Sequence, residues 1–89
     1  MIKTFFFDRD GVLIKNYGYV SNVQRIKWLK GAISAIKFLN KENIKVIVIT
    51  NQSGVARGYF KEKDVKMFHN YMNEQLISKK AFINDFFYW

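Results

Sequence analysis

Two carboxylates two residues apart, Asp8 and Asp10, follow the apolar run Phe5-Phe6-Phe7 and are followed at once by Gly11. In extended backbone, residues i and i+2 face the same side. A strand continuing through both would therefore present a small anionic clamp suited to a hard cation such as Mg²⁺. Gly11 argues instead that the strand stops and turns there, which puts both carboxylates at a carboxyl edge, where open α/β sheets hold their ligands. Asp-x-Asp-Gly is also ordinary turn chemistry. A second strand with a polar tip favours the ligand site. Lys45-Val-Ile-Val-Ile-Thr50 is β-branched almost throughout and runs into Asn51-Gln52-Ser53-Gly54-Val55-Ala56-Arg57-Gly58, a loop with two glycines, a hydroxyl and an arginine. Such a loop can offer backbone N–H groups to an anion, with a helix N-terminus close behind.

The elements that must position these groups are legible in the apolar spacing. Ile2 to Phe7 reads as a short buried strand, apolar as parallel strands covered on both faces are. Residues 15–28 form an irregular crossover containing Asn16-Tyr17-Gly18-Tyr19-Val20, where Gly18 permits an unusual backbone angle between two aromatics. From Gly31 to about Glu42, the positions Ile33, Ile36 and Leu39, flanked by Ala32 and Ala35, make an amphipathic helix that Asn43 closes. Strand, helix, strand in this order is a right-handed βαβ unit with parallel strands. Their polar ends then share one edge, so Asp8 and Asp10 are predicted to meet Thr50 and Asn51.

A second helix is predicted from about Lys61 to Lys79, with Val65, Phe68, Met72 and Leu76 stacked on one face as core. His69, the only histidine, lies beside that face and reads as a boundary residue without a partner at any recognisable spacing. Ile83 to Trp89 is a third apolar strand, Asp85 excepted. At the two helix starts, Lys30 and Lys61 stand where a capping side chain is wanted; each costs about 1 kcal/mol relative to a good cap.

Composition bounds the rest. With 89 residues the chain holds at most one small domain, and 49% apolar and 18% aromatic residues supply a core for it. The absence of cysteine excludes a disulfide framework and a thiolate metal site within these residues, which suits a reducing compartment. No apolar run approaches a membrane span, and Asp8 and Arg9 interrupt any secretory signal, so a cytoplasmic location is expected. Fifteen Lys and Arg against seven Asp and Glu give a formal net charge of +8, which draws phosphorylated ligands. The basic residues are scattered from Lys3 to Lys80 with no nucleic-acid module, which argues for solvated helix faces and against nucleic acid.

Phe7-Asp8-Arg9-Asp10-Gly11, joined to Thr50-Asn51-Gln52-Ser53-Gly54-Val55-Ala56-Arg57-Gly58 and with Gly18-Tyr19-Val20 between them, resembles the haloacid dehalogenase superfamily of phosphatases. Within it the pattern is most similar to the branch of heptose bisphosphate and histidinol phosphatases. The resemblance implies a Rossmann-like α/β core in which Asp8 is the nucleophile and Asp10 the general acid and base. It implies Mg²⁺ held by the Asp8 carboxylate and the Asp10 backbone carbonyl, with Thr50 and Asn51 on the phosphoryl oxygens. Asn16, Tyr17, Gly18, Tyr19, Gln52 and Ser53 match substrate-contacting positions, and Arg57 is a candidate for a second phosphate.

The resemblance covers all of this chain but about the first half of the family's domain. Residues 1–89 are thus expected to be the N-terminal portion of one such domain, its parallel sheet interrupted after the third strand. The relatives' Cys/His zinc loop, phosphoryl-neutralising lysine and acidic metal pair fall outside these residues, so no zinc site is expected here. Where the family usually carries Thr, an acidic residue and Thr, this chain has Val12, Lys30 and Lys61. Three functions follow. The first is Mg²⁺-dependent hydrolysis of a phosphorylated sugar such as a heptose phosphate, a lipopolysaccharide precursor, weak or absent in this chain alone. The second is a non-catalytic interaction role, with self-association or a complementing chain; the third is a small basic nucleic-acid-binding protein.

Overall fold

The computed structural model describes residues 3–15, 26–50 and 62–88. Their elements run β1 (Lys3–Asp8), α1 (Ala32–Lys41), β2 (Ile44–Thr50), α2 (Glu62–Ser78) and β3 (Asp85–Tyr88). The strands form one sheet in the order β1-β2-β3, both pairs parallel. The register places Asp8 against Ile49 and Thr50 against Tyr88, so the polar ends of β1 and β2 coincide at one edge. The parallel βαβ arrangement predicted from the sequence is the one observed.

Each element follows from its spacing. Ala32, Ile36 and Leu39, at i, i+4 and i+7, form the buried stripe of α1. On α2 the stripe is Val65, Phe68, His69, Met72 and Leu76. In β2, Val46, Val48 and Thr50 share a face by two-residue alternation, and all three are buried. Val46 and Val48 join Ile36, Leu39, Phe68, Met72 and Leu76 in the core, together with Leu13 and Ile14. The crossover after β1 is closed at its base, where Lys15 N–H donates to Lys27 and Leu29 N–H to the Leu13 carbonyl.

Three expectations are corrected. Strand β1 is not buried: it is a sheet edge, with Phe5 47% and Phe6 58% exposed, because only β2 pairs with it among the described residues. Helix α1 is not capped at Lys30. Gly31 takes the N-cap position at φ 85° with no side-chain bond, a left-handed geometry that glycine adopts without strain. Strand β3 starts at Asp85, later than the apolar run suggests, because side chains bind the backbone ahead of it. Asn40 pairs with both the N–H and the carbonyl of Phe82, and Asn73 does the same for Ile83. The Asn84 side chain accepts the Val46 N–H at 2.8 Å, doing the work of a ladder bond.

Both helices end as their sequences allow. Asn43, at φ 59°, follows α1 as predicted, and its N–H returns to the Asn40 carbonyl. After α2, Lys80 N–H reaches Ile77 and Ala81 N–H reaches Leu76, a Schellman closure that puts Lys80 at φ 64°. At the start of α2, Glu62 and Asp64 complement the positive helix end. Among the described residues no helix is long and apolar enough to cross a membrane.

Candidate active site

Strand β1 ends at Asp8 and the chain turns at once. Leu13 and Ile14 N–H both return to the Arg9 carbonyl, Gly11 N–H donates to Ile14, and Gly11 sits at φ 84°. The strand therefore stops where Gly11 predicts, and the two carboxylates differ in their contacts. Asp8 is exposed at the strand tip, and among the described residues its carboxylate has no hydrogen-bond partner. Asp10 is held. Arg9 Nε donates to Asp10 Oδ1 at 3.1 Å and a terminal Arg9 nitrogen to Oδ2 at 2.9 Å, a fork-on-carboxylate pair. The Thr50 hydroxyl donates to the same Oδ2 at 3.3 Å. Thr50 is buried because it ends the apolar face of β2, so the core fixes the height at which its hydroxyl meets Asp10.

Arg9 is the most deeply buried charged side chain of the described residues, 1% exposed. Its guanidinium carbon lies 4.9 Å from the centre of the Phe68 ring, and its other terminal nitrogen is 3.1 Å from His69 Nε2. Arginine can only donate, so Nε2 is the acceptor and the imidazole is neutral with its proton on Nδ1. Burial, assisted by the Arg9 charge, lowers the His69 pKa from 6.5 to about 3, in agreement with that assignment. The ring is stacked on Phe86 of β3, centroids 4.1 Å apart at 8°.

His69 is therefore not the partnerless boundary residue its sequence position suggests: it is buried, and its partner lies sixty residues away. Its place at i+4 from Val65 and i−3 from Met72, squarely on the stripe of α2, was the available signal. Arg9, read as the variable residue of Asp-x-Asp, is the second participant missed. Of the predicted site, Asp10 and Thr50 are brought into contact and Asp8 stands at the adjacent strand end. Asn16, Tyr17, Gly18, Tyr19, Asn51, Gln52, Ser53 and Arg57 lie outside the described residues.

No group of three or more acidic, histidine or cysteine side chains able to hold a metal occurs among the described residues. Mg²⁺ does not require one, since it is commonly bound by one or two protein oxygens, waters and a substrate phosphate. The oxygens at hand fit. The Asp8 carboxylate is exposed, and the Asp10 backbone carbonyl is not used in the bridge between Asp10 and Ile14, which runs through Gly11 N–H, Ile14 and the Arg9 carbonyl.

The family model described as haloacid dehalogenase-like hydrolase matches residues 5–87. The chain is 46% identical over 80 residues to a D-glycero-beta-D-manno-heptose-1,7-bisphosphate 7-phosphatase of Rhodopseudomonas palustris, covering 90% of this chain and 44% of that protein. It is 36% identical over 88 residues to the protein of the same name from Haemophilus influenzae, covering 99% and 48%. Among solved structures, it superposes with TM-score 0.90 and 29% identity on the D,D-heptose 1,7-bisphosphate phosphatase of B. bronchiseptica complexed with magnesium and phosphate, covering 99% of this chain and 50% of that one. The chain spans about half the length of the relatives it matches.

Proposed function

For a chain that belongs to the haloacid dehalogenase-like hydrolases, we propose a role in hydrolysing a phosphorylated sugar of the heptose bisphosphate class, with Asp8 as nucleophile and Asp10 as acid and base. The observation that carries this reading is the contrast between the two carboxylates: Asp8 is exposed and unengaged among the described residues, while Asp10 is clamped by Arg9 and Thr50. The relatives, named as heptose-1,7-bisphosphate 7-phosphatases, support the substrate class.

In the first step an Asp8 oxygen attacks phosphorus and the bond from phosphorus to the sugar oxygen breaks. Asp10 donates its proton to that leaving oxygen. In the second step Asp10 takes a proton from water as the water oxygen attacks the aspartyl-phosphate. The bond between phosphorus and the Asp8 oxygen then breaks, which releases phosphate and restores both carboxyl groups. Asp8 and the Asp10 carbonyl would hold Mg²⁺, which supplies charge compensation where a carboxylate approaches an anionic phosphate. Thr50, with Asn51 beyond it in sequence, is assigned to the phosphoryl oxygens.

The test is release of inorganic phosphate from heptose 1,7-bisphosphate with Mg²⁺, by the protein and by Asp8→Asn. Turnover abolished in the variant supports the assignment, and equal turnover in both overturns it. A second reading, an interaction role completed by another segment or chain, draws on the edge of β1, which only β2 pairs among the described residues, and on its exposed Phe5 and Phe6. Absence of turnover at high protein concentration favours that reading.

A further inference from the structure

The Asp10 carboxylate is not oriented by its own backbone alone. A chain of contacts runs inward from it through Arg9 to His69 on α2 and on to Phe86 on β3. An arginine next to an aspartate has many rotamers from which to choose. Here one is selected, because the guanidinium plane rests near Phe68 and the edge opposite Asp10 is met by His69 Nε2. The imidazole is in turn held by its stack on Phe86, so α2 and β3 together set the direction of one carboxylate.

Counting donors separates the two oxygens of Asp10. Oδ2 accepts from Arg9 and from Thr50, which uses both of its in-plane lone pairs, whereas Oδ1 accepts only from Arg9 Nε among the described residues.

We propose that His69 is a positioning residue which, by accepting from Arg9, holds the Arg9 fork and with it the Asp10 carboxylate in one orientation. This rests on the assignment of Asp10 as acid and base. Without the Nε2 acceptor, the terminal Arg9 nitrogen facing it loses that hydrogen bond, and the guanidinium is held less firmly. The fork on Asp10 then loosens although both residues of the fork are intact.

Two variants test it, with two readouts. His69→Phe keeps the ring and its stack but removes the acceptor; His69→Gln restores an acceptor oxygen. The first readout is exchange of the Arg9 Nε–H proton by NMR, which needs no turnover. It is expected to quicken by about tenfold or more in His69→Phe and to stay close to the parent rate in His69→Gln. The second is hydrolysis of heptose 1,7-bisphosphate with Mg²⁺. His69→Phe should lower kcat by about tenfold with KM within about twofold, and His69→Gln should recover most of the loss. Unchanged Arg9 exchange in His69→Phe overturns the proposal, as does quickened exchange with unchanged kcat. If the parent protein has no turnover, the exchange comparison alone decides whether His69 sets the fork.

Discussion

Mild acid should destabilise this protein through one residue. His69 is 4% exposed and titrates in the fold at about 3 against an ordinary 6.5, so its folded pKa is depressed. Above pH 6.5 the ring is neutral in both folded and unfolded chains, and the term is flat. Between 6.5 and 3 the unfolded chain binds a proton that the folded one refuses, so stability falls as pH falls. From about pH 7.5 to about pH 5.5 the loss is about 1.3 kcal/mol, with a limiting slope of about 1.4 kcal/mol per pH unit below that. Urea unfolding at the two pH values, with a denaturant slope of about 1 kcal/mol per molar for a chain this short, should show the midpoint dropping by about 1 M. His69→Gln, which cannot bind the proton but can accept from Arg9, isolates the residue from the carboxylates, which begin to titrate lower. The parent should lose about 1.3 kcal/mol more than the variant over the interval. Parallel losses would show that the folded protein accommodates a charged His69, and would refute both the neutral assignment and the Arg9 contact on which it rests.

Two predictions concern the framework. Asn84→Ala removes the oxygen that receives the buried Val46 N–H, and should destabilise by about 1 to 3 kcal/mol with β3 loosened, read as faster amide exchange at Val46. Lys80→Gly relieves a left-handed backbone at the end of α2, and should raise stability by up to about 1 kcal/mol in thermal unfolding, since the Schellman closure itself is unchanged.

What could be read from the residues alone was local or periodic. The stripes of both helices, the β-branched run of β2, the turn at Gly11 and the αL closure at Asn43 all follow from interactions within a few residues, and the order strand, helix, strand restricts the pairing to parallel. The contact of Asp10 with Thr50 was foreseeable for the same reason: two parallel strands ending in polar residues bring those residues to one edge. Spacing could not show that β1 is an exposed edge, because an apolar strand reads the same whether or not neighbours cover it. Nor could it show that three asparagines delay β3, since each side chain meets a backbone at least ten residues away.

The sequence by itself determined the two aspartates, the glycine that separates strand from turn, and the second polar strand end that faces them. Only the tertiary structure decided which way Arg9 points. Sequence neighbours of an exposed aspartate are ordinarily solvated. Here the combined pull of the Phe68 face, the His69 acceptor and the adjacent carboxylate draws a full positive charge into the core. That choice depends on groups sixty residues apart meeting at one point, a condition that helix packing on the sheet satisfies and that no local pattern records.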